Sequence, residues 1–170
     1  MAEYPVAPGP IHHLALTVAD LEASARFYGE LLGMHETLNM TMEGETFCRM
    51  LRVPPDSRAR IKYFDGGPKI GQIELVEWQD QPAPASVSQV DVQAHGANII
   101  SFAWDESLEE LHARLTTAGV ACWTAPETLE LPGFGFIYVF IGQDPDGRPI
   151  EFVRLPSPEA VREYRAAQQT

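Results

Sequence analysis

The chain has few of the residues that bind nucleic acid, cross a membrane or form disulfide frameworks. Its 170 residues include 12 Lys and Arg against 24 Asp and Glu, a formal net charge of −12, which excludes the basic face that a nucleic acid or an anionic membrane requires. No apolar run approaches the roughly 20 residues of a membrane-spanning helix. Two cysteines are too few for a disulfide framework or a cysteine metal cluster. The first ten residues, MAEYPVAPGP, show neither part of an export signal, so we expect a cytoplasmic protein.

What is present is an ordinary globular composition, with 45% apolar residues, in a length that suits one domain or two small repeats. The segment IHHLALTV at 11–18 alternates in polarity and predicts a strand. Asp20 is the predicted N-cap of an amphipathic helix, and Gly33 is predicted to end that helix. Weaker patterns predict the other elements of this part, a short helix at 43–51 and strands at 34–42, 59–64 and 70–78.

The same pattern starts again near residue 97. A strand ends at Trp104, Asp105 is the expected N-cap of a second helix, and Gly119 ends that helix. Leu16 and Phe102 lie 86 positions apart, as do Gly33 and Gly119. The closing strands carry matching sequences 77 positions apart, IELV at 73–76 and IEFV at 150–153. The chain therefore reads as an internal duplication of a β-α-β-β-β unit, an α+β protein.

This duplication predicts the organisation of the chain. The loop between the two copies lacks any sustained period and is expected to be either functional or a plain linker. The predicted segments are an N-terminal extension at 1–10, module one at 11–78, the loop at 79–96, module two at 97–155 and a C-terminal helix at 156–170.

Alternation in the strands places two glutamates on the faces that point away from the helices. His13 and Glu74 share this lining face in the first copy, and Ile99 and Glu151 hold the matching positions in the second. A carboxylate between apolar neighbours in a strand costs several kcal/mol to bury unless it is paired or bound to a cation. Two such carboxylates with a histidine on an adjoining strand indicate a divalent metal.

The sequence resembles the vicinal oxygen chelate superfamily, which includes glyoxalase I, methylmalonyl-CoA epimerase, extradiol dioxygenases and the fosfomycin- and bleomycin-resistance proteins. The stretches that carry the resemblance are HLALTVADLEASARFYGELLGM at 13–34, IELVEW at 73–78 and DPDGRPIEF at 144–152, within a match over about 10–155. The resemblance implies two tandem βαβββ modules that form a half-open, eight-stranded, barrel-like sheet with helices outside. It also implies a homodimer, in which the barrel closes within one chain or between chains.

The resemblance further implies one divalent metal ion (Zn, Ni, Co, Mn or Fe) held at four strand positions. Three are filled by His13, Glu74 and Glu151, but the fourth is Ile99, which cannot bind a metal. Three alternatives follow: water or substrate completes the site, Asn98 or His95 replaces the missing ligand, or the site has lost its metal.

The function implied is that of a metal-dependent isomerase, epimerase or lyase of the glyoxalase type. It would move a proton next to a carbonyl of a small metal-chelated substrate, with one of Glu74 and Glu151 on the metal and the other as base. The alternatives are a non-catalytic small-molecule binding or resistance protein of the same fold and a ring-cleaving dioxygenase, which Ile99 disfavours. The expected substrate-binding residues are Thr17, Gln72, Trp78, Ser101 and Phe136.

Other polar side chains are expected to lie away from this site. His12 is predicted to be packed or on the surface on the helix side of its strand, and His35, Glu77 and His112 are predicted to be solvent-exposed. The basic residues gathered at 49–62 are expected to form a solvated face, with no clear cluster for a phosphate.

Overall fold

The chain folds as two compact units, Met1–Ala85 and Ser86–Thr170. The computed structural model describes residues 11–67, 71–79, 92 and 98–168, so the predicted extension at 1–10 and nearly all of the predicted loop at 79–96 lie outside the described residues. Each unit contains a four-stranded mixed sheet and helices, which confirms the α+β class and the tandem βαβββ modules. The described strands form two four-stranded sheets, one in each unit. No helix within the described ranges is long and apolar enough to span a membrane.

The first unit has the strand order β1-β4-β3-β2, in which β1 is parallel to β4 and the other pairs are antiparallel. Asp20 caps its first helix as predicted, because its Oδ1 accepts a hydrogen bond from the backbone N–H of Ala23 at 2.9 Å. Gly33 ends that helix with a φ of +74°. The elements are β1 (His13–Thr17), α1 (Leu21–Ala25) with a π-helical extension (Arg26–Leu31), β2 (His35–Met42), α2 (Glu45–Leu51), β3 (Ala59–Asp65) and β4 (Gln72–Trp78).

The second unit repeats this topology with the order β5-β8-β7-β6. The predicted N-cap Asp105 is wrong: the cap is Ser107, whose hydroxyl accepts a hydrogen bond from the Glu110 backbone N–H at 3.2 Å. Strand β6 was not predicted, because its residues are mostly exposed and show no alternation of buried and exposed positions. The elements are β5 (Ile100–Ala103), α3 (Leu108–Thr117), β6 (Glu127–Leu131), β7 (Gly135–Gln143), β8 (Pro149–Arg154) and α4 (Pro158–Ala167).

Each unit buries the apolar residues of one sheet face together with those of its helices. In the first unit Leu16, Leu21 and Leu75 are at most 4% exposed, and in the second Leu111 and Phe152 are almost fully buried. This packing fixes the parity of the strands, so residues of the other parity, among them His13 and Glu74, point away from the helices.

Three expectations of solvent exposure are wrong. Glu77 is half-buried and accepts hydrogen bonds from the Leu21 backbone N–H at 3.0 Å and from Arg60 at 3.2 Å, because its parity turns it toward α1. Lys62 lies in the basic stretch but is only 8% exposed. His112 is half-buried, with its ring edge-on to Phe140 at a centroid distance of 5.2 Å.

Candidate functional site

A cluster of three polar side chains lies on the lining face of the first sheet. The parallel register sets Ala15 of β1 opposite Glu74, and the antiparallel register sets Tyr63 of β3 on its other side. His13 Nε2 lies 3.3 Å from Glu74 Oε2, and the Tyr63 hydroxyl donates to Glu74 Oε1 at 2.7 Å. The Glu74 side chain is 12% exposed. The two predicted site residues of this unit are therefore in contact, and both oxygens of the carboxylate face a partner.

Tyr63 is a site residue that the sequence reasoning missed. Burial first, and then the hydrogen bond to the Glu74 carboxylate, raise the pKa of Tyr63 to about 12. The phenol therefore keeps its proton at neutral pH and acts as a donor to Glu74. Its ring also stands edge-on to the His13 ring, with centroids 5.6 Å apart. Tyr63 lies opposite Glu74 because of the register of β3 against β4. The sequence alone does not provide that register.

His13 has a second partner on its other ring nitrogen. His12 Nδ1 lies 2.8 Å from His13 Nδ1, and the two rings meet edge to face. His12 is exposed at the start of the strand, and it contacts the predicted ligand. Metal-binding histidines commonly hydrogen-bond through the nitrogen that does not bind the metal, which fixes the ring orientation. The His12 contact gives His13 that arrangement, with Nε2 turned toward Glu74.

A cavity of about 700 Å³ opens on this face of the first unit. His13, Tyr63 and Glu74 line it, together with two of the predicted substrate-binding residues, Thr17 and Trp78. The predicted Gln72 is not among its lining residues. The Trp78 ring stacks on Phe47 of α2 at a centroid distance of 5.8 Å and an interplanar angle of 29°. The cavity thus combines the polar cluster with an aromatic wall.

The second unit keeps the carboxylate but lacks its two partners. Glu151 lies opposite Ser101, whose hydroxyl donates to Glu151 Oε2 at 2.5 Å. On the other neighbouring strand the residue opposite Glu151 is Ile141, where the first unit has Tyr63. Ile99 stands at the position that matches His13 and is 46% exposed. The repeat therefore preserves the backbone arrangement and one carboxylate, while the imidazole and the phenol occur in the first unit.

The remaining predicted residues take no place in these clusters. Phe136 is 55% exposed, with its ring edge-on to Tyr164 of α4 at 5.8 Å. Asn98 is exposed just before β5, and His95 lies outside the described residues. Within the described ranges no group of three or more His, Cys, Asp or Glu side chains is arranged to hold a metal ion.

The pair formed by His13 and Glu74 has the chemistry of a partial metal site. An imidazole nitrogen and a carboxylate oxygen that converge to 3.3 Å are ligand types shared by Zn, Ni, Co, Mn and Fe. Each also has a further hydrogen-bonding partner, His12 for the imidazole and Tyr63 for the carboxylate, as ligands of bound metals usually do. Two of the three predicted ligands thus fit a divalent ion.

Comparison with known proteins agrees with this fold. Residues 10–152 match the family model of the Glyoxalase/Bleomycin resistance protein/Dioxygenase superfamily. The 2-epi-5-epi-valiolone epimerase of an Actinomyces species is 30% identical over 154 residues, which cover 86% of this chain and 80% of that protein.

Solved structures share the fold. A glyoxalase family protein from Bacillus cereus aligns with a TM-score of 0.76 at 18% identity, over 92% of this chain and all (100%) of that chain. The trypanothione-dependent glyoxalase I of Leishmania major aligns with a TM-score of 0.54 at 21% identity, over 95% of this chain and 96% of that chain. The chain therefore belongs to the Glyoxalase/Bleomycin resistance protein/Dioxygenase superfamily, the vicinal oxygen chelate proteins that its sequence resembles.

Proposed function

We propose that the protein is a metal-dependent isomerase or epimerase that moves a proton next to a carbonyl group of a small substrate. The observation that carries this proposal is the contact of His13 and Tyr63 with the two oxygens of Glu74 inside a cavity of about 700 Å³. The relative that is 30% identical is named an epimerase, an enzyme that inverts one stereocentre. Inversion next to a carbonyl needs a base of the kind that a lining-face carboxylate supplies.

His13 and Glu74 are the residues of the first unit that would hold the ion, and Glu151 is the third ligand or the base that the resemblance predicts. When bound, a divalent ion polarises a substrate carbonyl and makes the adjacent C–H more acidic. The nitrogen and oxygen donors are compatible with Zn, Ni, Co, Mn or Fe.

The side chains of the chain supply the proton transfer. One of the two glutamates takes the proton from the carbon next to the carbonyl and returns it to the other face or to a neighbouring carbon. Tyr63 holds the Glu74 carboxylate through its donated hydrogen bond, and Ser101 holds Glu151 in the same way. Most of the side chains that line the cavity beside Glu74 are apolar.

Solvent deuterium exchange tests this proposal. Metal-loaded protein is incubated in D₂O with an α-hydroxy ketone such as hydroxyacetone, and deuterium at the carbon next to the carbonyl is followed by NMR. We expect exchange in the wild type and a loss of about 100-fold or more in Glu74→Gln or Glu151→Gln, because an amide cannot act as the base. Glu163→Gln on the exposed face of α4 is the matched control and should exchange normally. Unchanged exchange in both site variants would overturn the proposal.

One observation favours a second candidate, a non-catalytic small-molecule binding protein of the same fold. The stacked rings of Phe47 and Trp78 in the cavity wall resemble a surface for holding an apolar ligand rather than for reacting with it. The same experiment separates the two candidates, because a binding protein takes up the ketone without exchange of its hydrogen.

A further inference from the structure

The polarity of the cavity changes along strand β4. Glu74, Val76 and Trp78 alternate onto the same face, and four residues of strand span about 13 Å. Their neighbours on β3 follow the same gradient, with Tyr63 opposite Glu74, Ile61 opposite Val76 and Ala59 opposite Trp78. The polar cluster therefore lies at one end of this line, and an apolar body extends from it.

The body of the cavity offers few groups that could hydrogen-bond a ligand. Ten of the sixteen described lining residues are apolar, and Glu43, one of the charged ones, forms an ion pair with Arg58 at 3.1 Å. Beyond the cluster, the hydroxyls are those of Thr17 and Thr46. A ligand that placed several hydroxyl groups here would lose their water without enough partners in return, which is unfavourable.

The apolar wall also has surface left to cover. Phe47 and Trp78 are half-buried, while Met50 and Leu51 of α2 line the cavity and are 75% and 52% exposed. Helix α2 lies between β2 and β3, whereas β6 and β7 of the second unit are joined by three residues with no helix between them. The part of the wall that α2 supplies therefore has no counterpart between β6 and β7 of the second unit.

Resting on the function proposed above, we propose that the substrates of this site carry an apolar group, preferably aromatic, attached to the carbonyl-bearing head. The head lies at His13 and Glu74, and the apolar group extends along β4 to the ring of Trp78. Trp78 and Phe47 determine this specificity. Ketones substituted with hydroxyl groups throughout are disfavoured.

Binding of three ketones that share one head tests the inference. The probes are 2-hydroxyacetophenone, which carries a phenyl group, hydroxyacetone, which carries a methyl group, and erythrulose, which carries further hydroxyls. Dissociation constants are measured by calorimetry on metal-loaded full-length protein. We expect the phenyl ketone to bind about tenfold or more tightly than either of the others, because its ring covers exposed apolar surface. Equal binding of the three, or preference for erythrulose, would overturn the inference.

Substitutions in the cavity wall show which residues cause the preference for the phenyl ketone. Trp78→Leu should reduce the preference for the phenyl ketone by about fivefold and change hydroxyacetone binding less than about twofold, because it shortens the aromatic wall only. Met50→Ser, at an exposed position with little risk to folding, should reduce the preference by about twofold, whereas Leu129→Ser, at a position 50% exposed on the second unit, should leave it unchanged. An unaltered preference in both cavity variants contradicts the assignment. Selective binding without deuterium exchange would support this inference and overturn the catalytic proposal, and exchange without selectivity would do the reverse.

Discussion

The Tyr63 hydroxyl donates to Glu74 Oε1 at 2.7 Å, while His13 Nε2 lies 3.3 Å from the other oxygen of the same carboxylate. In the second repeat isoleucines stand at the positions of both partners, Ile141 and Ile99. The two units share one strand arrangement. At the two matching positions, however, the imidazole and the phenol occur in the first unit and isoleucines occur in the second.

Tyr63→Phe tests whether the phenol positions the Glu74 carboxylate. The variant keeps the ring but removes a donor to a charged acceptor, a hydrogen bond worth about 1.5–3 kcal/mol. We expect metal affinity and the deuterium exchange rate each to fall by about tenfold or more, measured by calorimetry and NMR.

The matched control for this change is Tyr164→Phe. Tyr164 also donates to a carboxylate, that of Glu130, but at an exposed place in the second unit. Tyr164→Phe should leave the metal affinity and the deuterium exchange rate unchanged. If Tyr63→Phe exchanged at the wild-type rate, Tyr63 would have no positioning role.

The buried Lys62 predicts a pH-dependent contribution to stability. Its ammonium lies 3.1 Å from Glu22 and 3.3 Å from Glu36. Hydrogen bonds from Lys62 and Arg60 lower the pKa of Glu22 below its ordinary 4.5. Burial acts to lower the pKa of Lys62, but its bonds to the two glutamates outweigh burial and raise the pKa above 10.5.

The direction of the pH dependence follows from the lowered pKa of Glu22. A lowered carboxylate pKa contributes stability that is present above the unfolded value and lost as the pH falls through the folded one. Glu22→Gln should therefore lower the free energy of unfolding by up to about 1 kcal/mol at pH 7, with a difference that disappears in acid. Urea denaturation at pH 7 and pH 3 measures it. A difference of equal size at both pH values would contradict the ion pair as its source.

Asp144 should be a strong stability determinant of the turn between β7 and β8. Its side chain is fully buried, accepts from the backbone N–H groups of Asp146 and Arg148 at 3.0 and 2.8 Å, and pairs with the Arg148 guanidinium at 3.0 Å. Asp144→Asn leaves that guanidinium with a weakened partner, so we expect a loss of about 3 kcal/mol in urea denaturation. Asp146→Asn, at a carboxylate 15% exposed, should cost less. Equal losses would show that burial of Asp144 is not the cause.

A side chain at Gly71 should affect both the stability of the fold and the candidate site. It would meet the backbone that leads into β1, the strand that carries His13. An added Cβ would lie 2.9 Å from the Ile11 carbonyl oxygen and 3.4 Å from that of His12. Gly71→Ala should cost about 1–3 kcal/mol and reduce exchange by displacing the start of β1. Gly142→Ala, with contacts of 3.6 Å, is the control and should be milder. A fully active, fully stable Gly71→Ala protein would disprove this coupling.

The internal repeat and the shared face of His13 and Glu74 could be predicted from the sequence, because both depend on local periodicity. The alternation around His13 and Glu74 decides which face they share, and Gly33 and Gly119 end their helices with φ values of +74° and +82°. These features need no knowledge of which strands are neighbours.

The features that were missed depend on neighbours distant in sequence. Tyr63 reaches Glu74 through the register of β3 against β4, and Glu77 is half-buried because it meets the start of α1. Lys62 is buried because two glutamates from other elements surround its ammonium. Strand β6 is defined by its hydrogen bonds to β7 rather than by any pattern of its own residues.

Elemental analysis is the decisive check on the proposal that His13 and Glu74 hold a divalent metal ion. The measurement is the metal content of protein purified without added metal, with His13→Ala and Glu74→Gln prepared in parallel. We expect about one divalent ion per chain in the wild type and its loss in both variants. A wild-type protein without metal, or variants that retain a full complement, would contradict it.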